Sequence, residues 1–166
     1  YLELHGEEMI NGELIQRGTW EGEPWNMKLA MINVIDASNI KLVGQGLLNM
    51  NSDKADWFID FRKKPYARPH TIFMNQSSNI FVQGIKLYNA CVWTIHPYFC
   101  KHIGFYDLYI ENDPNSPNTD GINPQCVDGC EIIGVEFSVG DDCIAIKSGK
   151  LYIGKTYKKP SENILI

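Results

Sequence analysis

The stretch 79–87 reads NIFVQGIKL, and its apolar residues follow the spacing apolar-x-apolar-x-x-apolar-x-apolar. The same spacing returns in HIGFYDLYI at 102–110 and in GCEIIGVEF at 129–137, with partial copies in NIKL at 39–42 and NILI at 163–166. The first apolar positions of the copies are 40, 80, 103, 130 and 164, so the steps between them are 40, 23, 27 and 34 residues. A short repeat with a variable excess is typical of stacked coils that carry loop insertions.

Period-two alternation and the absence of long helical periodicity predict an all-β chain with short strands in every coil. Since one coil cannot bury its own apolar residues, the coils are expected to stack into a parallel β-helix. A leucine-rich repeat has similar spacing, but its Leu-x-x-Leu-x-Leu consensus and helical connectors are missing. An antiparallel sandwich would not require register between the copies. The β-helix predicts two interior columns: Ile80, Ile103, Cys130 and Ile164 in one, and Val82, Phe105, Ile132 and Ile166 in the next.

Composition limits the classes of function. The 166 residues are 44% hydrophobic and 21% charged with a net charge of −5, which is typical of a globular domain and offers no general basic surface for nucleic acid. No apolar run reaches membrane-spanning length, and no pattern of a signal peptide is visible in the given residues. Both ends read as strand interior, so residues 1–166 are expected to be a single β-helix segment of a longer protein. The polar and aromatic residues 48–70 are expected to form a loop insertion, either solvated or one wall of a cleft.

Five cysteines cannot all pair with one another, and no two C-x-x-C motifs are present to hold zinc. They are interpreted as small buried residues.

Aspartates gather where the repeat is read in register. Pro97 and Pro124 are 27 residues apart, which is the step between the third and fourth copies, so WTIHP at 93–97 aligns with DGINP at 120–124. DCI at 142–144 matches the next coil, which stacks Asp142 on Asp120 about 4.8 Å away, with Asp141 beside them. Like charges this close raise the pKa of at least one group. A calcium site or an acidic turn would also explain the cluster, as would the acid and base of a glycosidase.

The motifs SPNTDGINP at 116–124 and VGDDCIAIKSG at 139–149 resemble glycoside hydrolase family 28, the polygalacturonases. Weaker agreement at LVGQG, Arg68-Pro69 and VWTIHP extends the resemblance from about residue 38 to the end. The resemblance implies a right-handed, single-stranded, pectin-lyase-like β-helix and inverting hydrolysis of α-1,4-linked galacturonate in pectin, without metal or organic cofactor. It implies that Asp141 is the general acid, that Asp120 and Asp142 hold and activate water, and that Asn118 contacts sugar.

The chain departs from the family where the family continues with Gly-His-Gly and Arg-x-Lys motifs, because neither follows the GDD motif in residues 143–166. The 166 residues alone are therefore expected to be nearly inactive. His96 is a candidate for a sugar contact or a structural hydrogen bond, and Lys147 is a candidate partner for a galacturonate carboxylate. Arg68 could clamp substrate or anchor a loop.

The expected partner of the full protein is an acidic plant polysaccharide, pectin or its oligosaccharides, with no nucleic acid and no membrane. The protein is expected to be a secreted or periplasmic monomer. The alternatives are a calcium-dependent pectate lyase and a non-catalytic, polysaccharide-binding β-helix. The choice between endo- and exo-action stays open, with WTIHP favouring exo-action.

Overall fold

A computed structural model describes residues 3–166, and from Ile32 onward these form a right-handed parallel β-helix. Short antiparallel strands come first: β1 (Glu3–Leu4), β2 (Glu7–Ile10), β3 (Glu13–Gln16), β4 (Thr19–Trp20), β5 (Glu23–Pro24) and β6 (Met27–Lys28). The strands of the coils follow: β7 (Ile32–Ile35), β8 (Ser38–Val43), β9 (Leu47–Asn49), β10 (Ile72–Asn75), β11 (Ser78–Gln83), β12 (Lys86–Tyr88), β13 (Ile95–Tyr98), β14 (Lys101–Tyr106), β15 (Tyr109–Glu111), β16 (Asp128–Ile133), β17 (Glu136–Ser138) and β18 (Glu162–Leu165). Short 3-10 turns span Ser52–Lys54 and Phe61–Lys63, and the helix α1 spans Leu151–Tyr157.

Three parallel sheets run along the β-helix. Sheet 1 contains β7, β10 and β13, sheet 2 contains β8, β11, β14, β16 and β18, and sheet 3 contains β9, β12, β15 and β17. Sheet 1 continues past β13 through single bridges, which pair Ile95 with Ile122 and Ile122 with Ile144. The later coils therefore keep the register of the earlier ones without forming long strands.

The predicted interior columns are confirmed in sheet 2. Ile80 pairs with Ile103, Ile103 with Cys130, and Cys130 with Ile164. Val82, Phe105 and Ile132 form the second column and are nearly or fully buried, whereas Ile166 at the end of the chain is 67% exposed. The apolar template therefore marks the inward face of sheet 2 and its continuation into sheet 3.

The bends recur at fixed places because their backbone conformation repeats from coil to coil. Left-handed φ angles of 53° to 82° stack in one column at the start of sheet 2, formed by Asn79, His102, Gly129 and Asn163, where φ is 54°, 53°, 82° and 57°. Asn and Gly tolerate this conformation better than most residues, which explains why they punctuate the repeat.

Two parts of the chain differ from the expected single β-helix. The insertion predicted at 48–70 begins later, because Leu48 and Asn49 belong to β9 and pair with β12. Residues 3–28 form antiparallel pairs instead of a coil: β1 with β6, β2 with β3, and β4 with β5. Tyr1 and Leu2, which read as strand interior, lie outside the described residues.

The antiparallel strands pack on the outer face of sheet 1. A second apolar cluster outside the β-helix joins Leu4 and Met27 to Phe73 and Tyr98. Arg17 donates hydrogen bonds to Asp36 and to Asn75 on this face, the latter at 3.0 Å. Asn11-Gly12 has left-handed φ angles of 51° and 83°, the turn that closes β2 and β3. An Asn-Gly pair is a hairpin signal in a sequence, and it was not used in predicting the fold.

None of the helices within residues 3–166 has the length and apolar character needed to cross a bilayer.

Candidate functional site

Three aspartates from two neighbouring coils meet next to sheet 1, beyond the part of its outer face on which the antiparallel strands pack. The bridge between Ile122 and Ile144 places Asp120 and Asp142 in register, and the Gly121 amide donates to the Asp142 carbonyl at 2.9 Å. One carboxylate oxygen each from Asp120, Asp141 and Asp142 lies within 4.8 Å of the others. The stacking expected from the proline alignment is therefore present.

Two glycines allow the coils to approach this closely. A Cβ on Gly121 would lie 2.4 Å from the Cys143 carbonyl oxygen, and a Cβ on Gly140 would lie 2.5 Å from the Asp113 carbonyl oxygen. Neither backbone atom can move aside without disturbing its coil. The glycines of the NTDG and GDD motifs thus serve the packing that brings the aspartates together.

Asp120 is the buried member of the cluster, with 3% of its surface exposed. Its Oδ2 accepts a hydrogen bond from Asn123 at 2.8 Å, whereas its Oδ1 is buried without a partner among residues 3–166. Burial raises the pKa of Asp120, and the neighbouring Asp141 charge raises it further, against the lowering effects of Asn123 and Lys147. An unpartnered, desolvated oxygen is a natural acceptor for a bound water.

Asp141 and Asp142 are exposed, and backbone amides orient Asp141. The Asn118 amide donates to one carboxylate oxygen of Asp141 at 3.2 Å, and the Asp142 amide donates to the other at 3.1 Å. Asn118 reaches this position with a φ of 60°, a conformation that Asn tolerates. The turn that contains Asn118 and the turn that contains Asp141 therefore hold each other across two coils.

Arg68 anchors the turn before Asp120. Its guanidinium donates to the carbonyls of Cys91 at 2.7 Å and Pro117 at 3.0 Å, and to Oδ1 of Asn118 at 2.8 Å. Burial lowers the pKa of Arg68 to about 10, so the group stays charged at neutral pH. The sequence left the choice between a substrate clamp and an anchor open, and these contacts are those of an anchor.

Lys147 lies on the coil that follows the coil of Asp120, beside an aromatic side chain. Its Nζ is 4.7 Å from the ring centroid of Trp93, and its charge lowers the pKa of Asp120. Trp93, Gln125 and Lys147 line a cleft of about 280 Å³. The candidate Lys147 therefore lines a cleft, and its pairing with a galacturonate carboxylate stays a prediction.

His96 is placed differently from the expected sugar contact. It is fully buried, and its ring nitrogens lie 3.2 Å from Nε2 of His70 and 3.1 Å from the side-chain amide of Gln125. A bound sugar cannot reach it in this arrangement. The alternative interpretation, a structural hydrogen bond at a coil corner, is the one that fits.

The two histidines connect the backbone of Trp93 to the side chain of Gln125. Nδ1 of His70 lies 2.8 Å from the Trp93 carbonyl, which only accepts, so this nitrogen carries the proton. Nε2 of His70 then accepts from Nδ1 of His96, and Nε2 of His96 lies 3.1 Å from Oε1 of Gln125. Burial lowers the pKa of His70 to about 4 and the pKa of His96 well below its usual value. Both rings are therefore neutral near pH 7, and they fix Trp93 and Gln125 at the cleft.

The neutral pair predicts a fall of stability in mild acid. The pKa of His70 is depressed on folding, so the unfolded chain takes up a proton below pH 6.5 while the folded chain does not until about pH 4. Stability is therefore lost as pH falls through this window, by about 2–3 kcal/mol from His70 alone. Urea unfolding between pH 7 and 4.5 measures the slope. His70→Asn should flatten it and exposed His102→Asn should not, and equal slopes in the wild type and His70→Asn would refute the assignment.

The antiparallel strands contribute residues that the sequence reasoning did not single out. The Trp20 ring stacks on Trp93 at 5.2 Å between centroids, and Trp20 and Trp25 line a second cleft together with Asn118. The turn at Glu21-Gly22 is tied to α1, since the Gly22 carbonyl accepts from the Ile153 amide at 2.9 Å. In the sequence, the only signal for this hairpin was the glycine at position 22, in the place that Gly12 takes in the turn Asn11-Gly12.

Comparisons with known proteins agree with the motifs. The model of the family described as "Glycosyl hydrolases family 28" matches residues 8–160. A Vitis vinifera protein named "Probable polygalacturonase" is 33% identical over 135 residues, which are 80% of this chain and 26% of that protein. A Zea mays "Exopolygalacturonase" is 31% identical, covering 71% of this chain and 29% of its own length.

The fold has a close counterpart among solved structures. The exopolygalacturonase from Thermotoga maritima superimposes with a TM-score of 0.77 and 24% identity, covering 90% of this chain and 41% of that structure. The chain spans between about a quarter and a third of the curated relatives named above.

Proposed function

The chain belongs to glycosyl hydrolases family 28, and on this premise we propose that the protein containing it hydrolyses α-1,4 linkages between galacturonate residues of pectin. The observation that carries the proposal is the cluster of Asp120, Asp141 and Asp142, whose carboxylate oxygens lie within 4.8 Å of one another. A structural role gives no reason to hold three acids together, because their mutual repulsion opposes folding.

The proposed mechanism uses all three carboxyl groups. Asp141, exposed and oriented by two backbone amides, donates its proton to the glycosidic oxygen as the bond from that oxygen to C1 breaks. Asp120 and Asp142 hold a water between two coils, remove its proton and direct the oxygen to the opposite face of C1. The products are a new reducing end with inverted configuration and a shortened chain, and the net change is the addition of one water.

Substrate contacts are proposed for two of the remaining candidates. Asn118 lies next to Asp141 and lines a cleft, and Lys147 lies beside Trp93 with its charge near Asp120. An ammonium group in this place would pair with the carboxylate of a galacturonate. We further propose that residues 1–166 are part of a longer catalytic domain and that the whole protein is a secreted or periplasmic monomer.

Three carboxylates in a cluster would also suit a hard divalent cation, so the test must separate hydrolysis from calcium-dependent elimination. The full-length protein is incubated with polygalacturonate, with and without a chelator. Hydrolysis gives reducing ends without ultraviolet-absorbing unsaturated products, at a rate that the chelator does not change. Unsaturated products whose formation stops with the chelator would instead establish the lyase, and no products at all would favour a binding protein.

The antiparallel strands favour attack from a chain end. They cover the outer face of sheet 1 on the coils before the aspartate cluster, where Gln16 and Arg17 contact Tyr98 and Asn75. A polysaccharide lying along this face cannot continue over those coils, so it has to end near the cluster.

We therefore expect the protein to release short products while the viscosity of polygalacturonate falls slowly. The measurement compares viscosity with reducing ends formed in the same reaction. A steep loss of viscosity when few linkages have been cut would show internal cleavage and would refute exo-action.

A further inference from the structure

A cleft of about 270 Å³ separates the hairpin of β4 and β5 from the loop at 50–70. We propose that this hairpin cleft is a binding subsite for one acidic sugar ring, formed mainly by residues outside the family motifs. The inference rests on the proposed function, because it takes the ligand to be part of the same polysaccharide.

The hairpin cleft opens next to the aspartate cluster. Asn118 lines it, and the same residue donates its amide to Asp141 at 3.2 Å. Arg68 holds the Asn118 side chain in place by donating a hydrogen bond of 2.8 Å to its Oδ1. The end of a polymer bound at the aspartates therefore reaches the cleft, and this places the cleft on the path of the substrate.

The walls present flat apolar faces. Trp20 and Trp25 come from the hairpin, and Phe61 and Tyr66 come from the loop. Trp25 is 43% exposed, an unusual exposure for so large an apolar side chain. Ligand pockets are commonly lined by aromatic residues with a few polar groups, and the volume lies at the small end of their range, about 300 Å³. The space suits a single pyranose ring.

The charge of the cleft opposes that of the chain. Arg62, Lys64 and Arg68 line it in a protein whose net charge is −5. The one acidic residue of the lining, Glu21, is engaged with Lys150, and Lys64 pairs with Asp56. Neither Arg62 nor Arg68 takes part in any ion pair among residues 3–166.

The ligand class follows from these two properties together. Arg62 is exposed, and its guanidinium stacks on the Phe61 ring at 5.2 Å from the centroid, which presents the fork of donors at the rim of an aromatic cleft. A guanidinium binds a carboxylate through two parallel hydrogen bonds. A ring with one carboxylate and one apolar face, as in galacturonate, satisfies both the cation and the aromatic walls. A neutral sugar would leave Arg62 without a partner.

The test measures binding of trigalacturonate to the full-length protein carrying Asp141→Asn, so that the ligand is not cleaved during calorimetry. Adding Arg62→Gln should weaken binding about tenfold, and Trp25→Ala should weaken it at least as much. Lys63→Gln is the matched control, because Lys63 neighbours Arg62, is exposed and does not line the cleft. It should stay within about twofold of its parent. Arg62 is exposed, so its replacement leaves the fold intact.

Methyl-esterified trigalacturonate separates charge recognition from general stacking. The Arg62→Gln effect should vanish with the ester, whereas the Trp25→Ala effect should persist. Unchanged trigalacturonate affinity in both variants, or an equal Arg62→Gln effect on acid and ester, would overturn the inference. If the wild type hydrolyses polygalacturonate while the variants bind normally, this inference fails alone. If hydrolysis is absent but binding depends on Arg62, the proposed function fails while the uronate subsite stands.

Discussion

Asp141→Asn in the full-length protein is expected to lower kcat on polygalacturonate by about a thousandfold, within the usual range for loss of a general acid or base. The amide has no acidic proton to give to the glycosidic oxygen. The turn should survive the change, because the remaining carbonyl oxygen can still accept from a backbone amide of Asn118 or Asp142. Substrate affinity should change much less than kcat, since the proton is needed only as the bond breaks.

The matching changes at the other two aspartates should also remove most activity, without adding to the first effect, because the three groups act as a unit. Asp107→Asn is the control. Asp107 lies at a bend of another part of the β-helix with a φ of 52°, which Asn tolerates, and it is absent from the cluster. Near-wild-type rates in all three cluster variants would refute the mechanism.

Asp120→Asn separates loss of chemistry from loss of fold. Folding raises the pKa of Asp120, so ionisation opposes folding as pH rises above the ordinary carboxyl range, and the penalty is present at neutral pH. Removal of the charge should therefore raise the stability at pH 7, by roughly 1 kcal/mol, while activity falls. A marked decrease in the thermal midpoint would show that the carboxylate stabilises the fold instead.

Ile132→Asp is expected to destabilise the protein by about 4 kcal/mol or more, a large part of the stability of an ordinary domain. Ile132 is 3% exposed and pairs with Phe105 inside the β-helix, where a carboxylate would have no partner. Urea unfolding followed by circular dichroism measures the effect.

The next residue provides a matched control. Ile133 belongs to the same strand, β16, but points outward and is 44% exposed. Ile133→Asp makes the same chemical change, and its effect should stay below about 1 kcal/mol. A slip of one residue would exchange the two faces, so equal effects or a reversed order would refute the register.

The sequence predicted the β-helix because every coil has to bury apolar residues at the same positions, and this requirement produces the repeat. The positions of Ile80, Ile103 and Cys130 must face the interior, and this requirement is visible in one chain without relatives. The same register predicted that Asp120 and Asp142 would stack, since Pro97 and Pro124 mark equivalent positions of successive coils. Local spacing was sufficient wherever a feature is repeated.

The sequence did not predict the contacts between segments that do not occupy equivalent positions of the repeat. Residues 3–28 follow no repeat, and their packing on Phe73 and Tyr98 depends on side chains far away in sequence. For the same reason the burial of His96 was not decided, because its partners His70 and Gln125 come from two other segments. The hairpin cleft likewise joins segments that do not resemble each other, so no single motif marks it.

The short spacing of the carboxylates makes the configuration of the newly formed reducing end the property that decides between inversion and retention. Oxygens within 4.8 Å are closer than the separation of about 6.5–9.5 Å usual for inverting glycosidases and nearer to the value of about 5 Å for retaining ones. A retaining mechanism, however, uses two carboxyl groups and leaves the third without a role. The proposed mechanism uses the buried Asp120 and the exposed Asp142 to hold one water, with Asp141 as the acid.

Proton NMR of a fresh digest of a defined galacturonate oligomer by the full-length protein observes this directly. Cleavage of an α-linkage with inversion gives the β-anomer first, and the α-anomer grows in only as the product mutarotates. We expect this order in the wild type and its loss in Asp141→Asn. First appearance of the α-anomer would mean retention and would contradict the assignment of Asp120 and Asp142 as the pair that activates water.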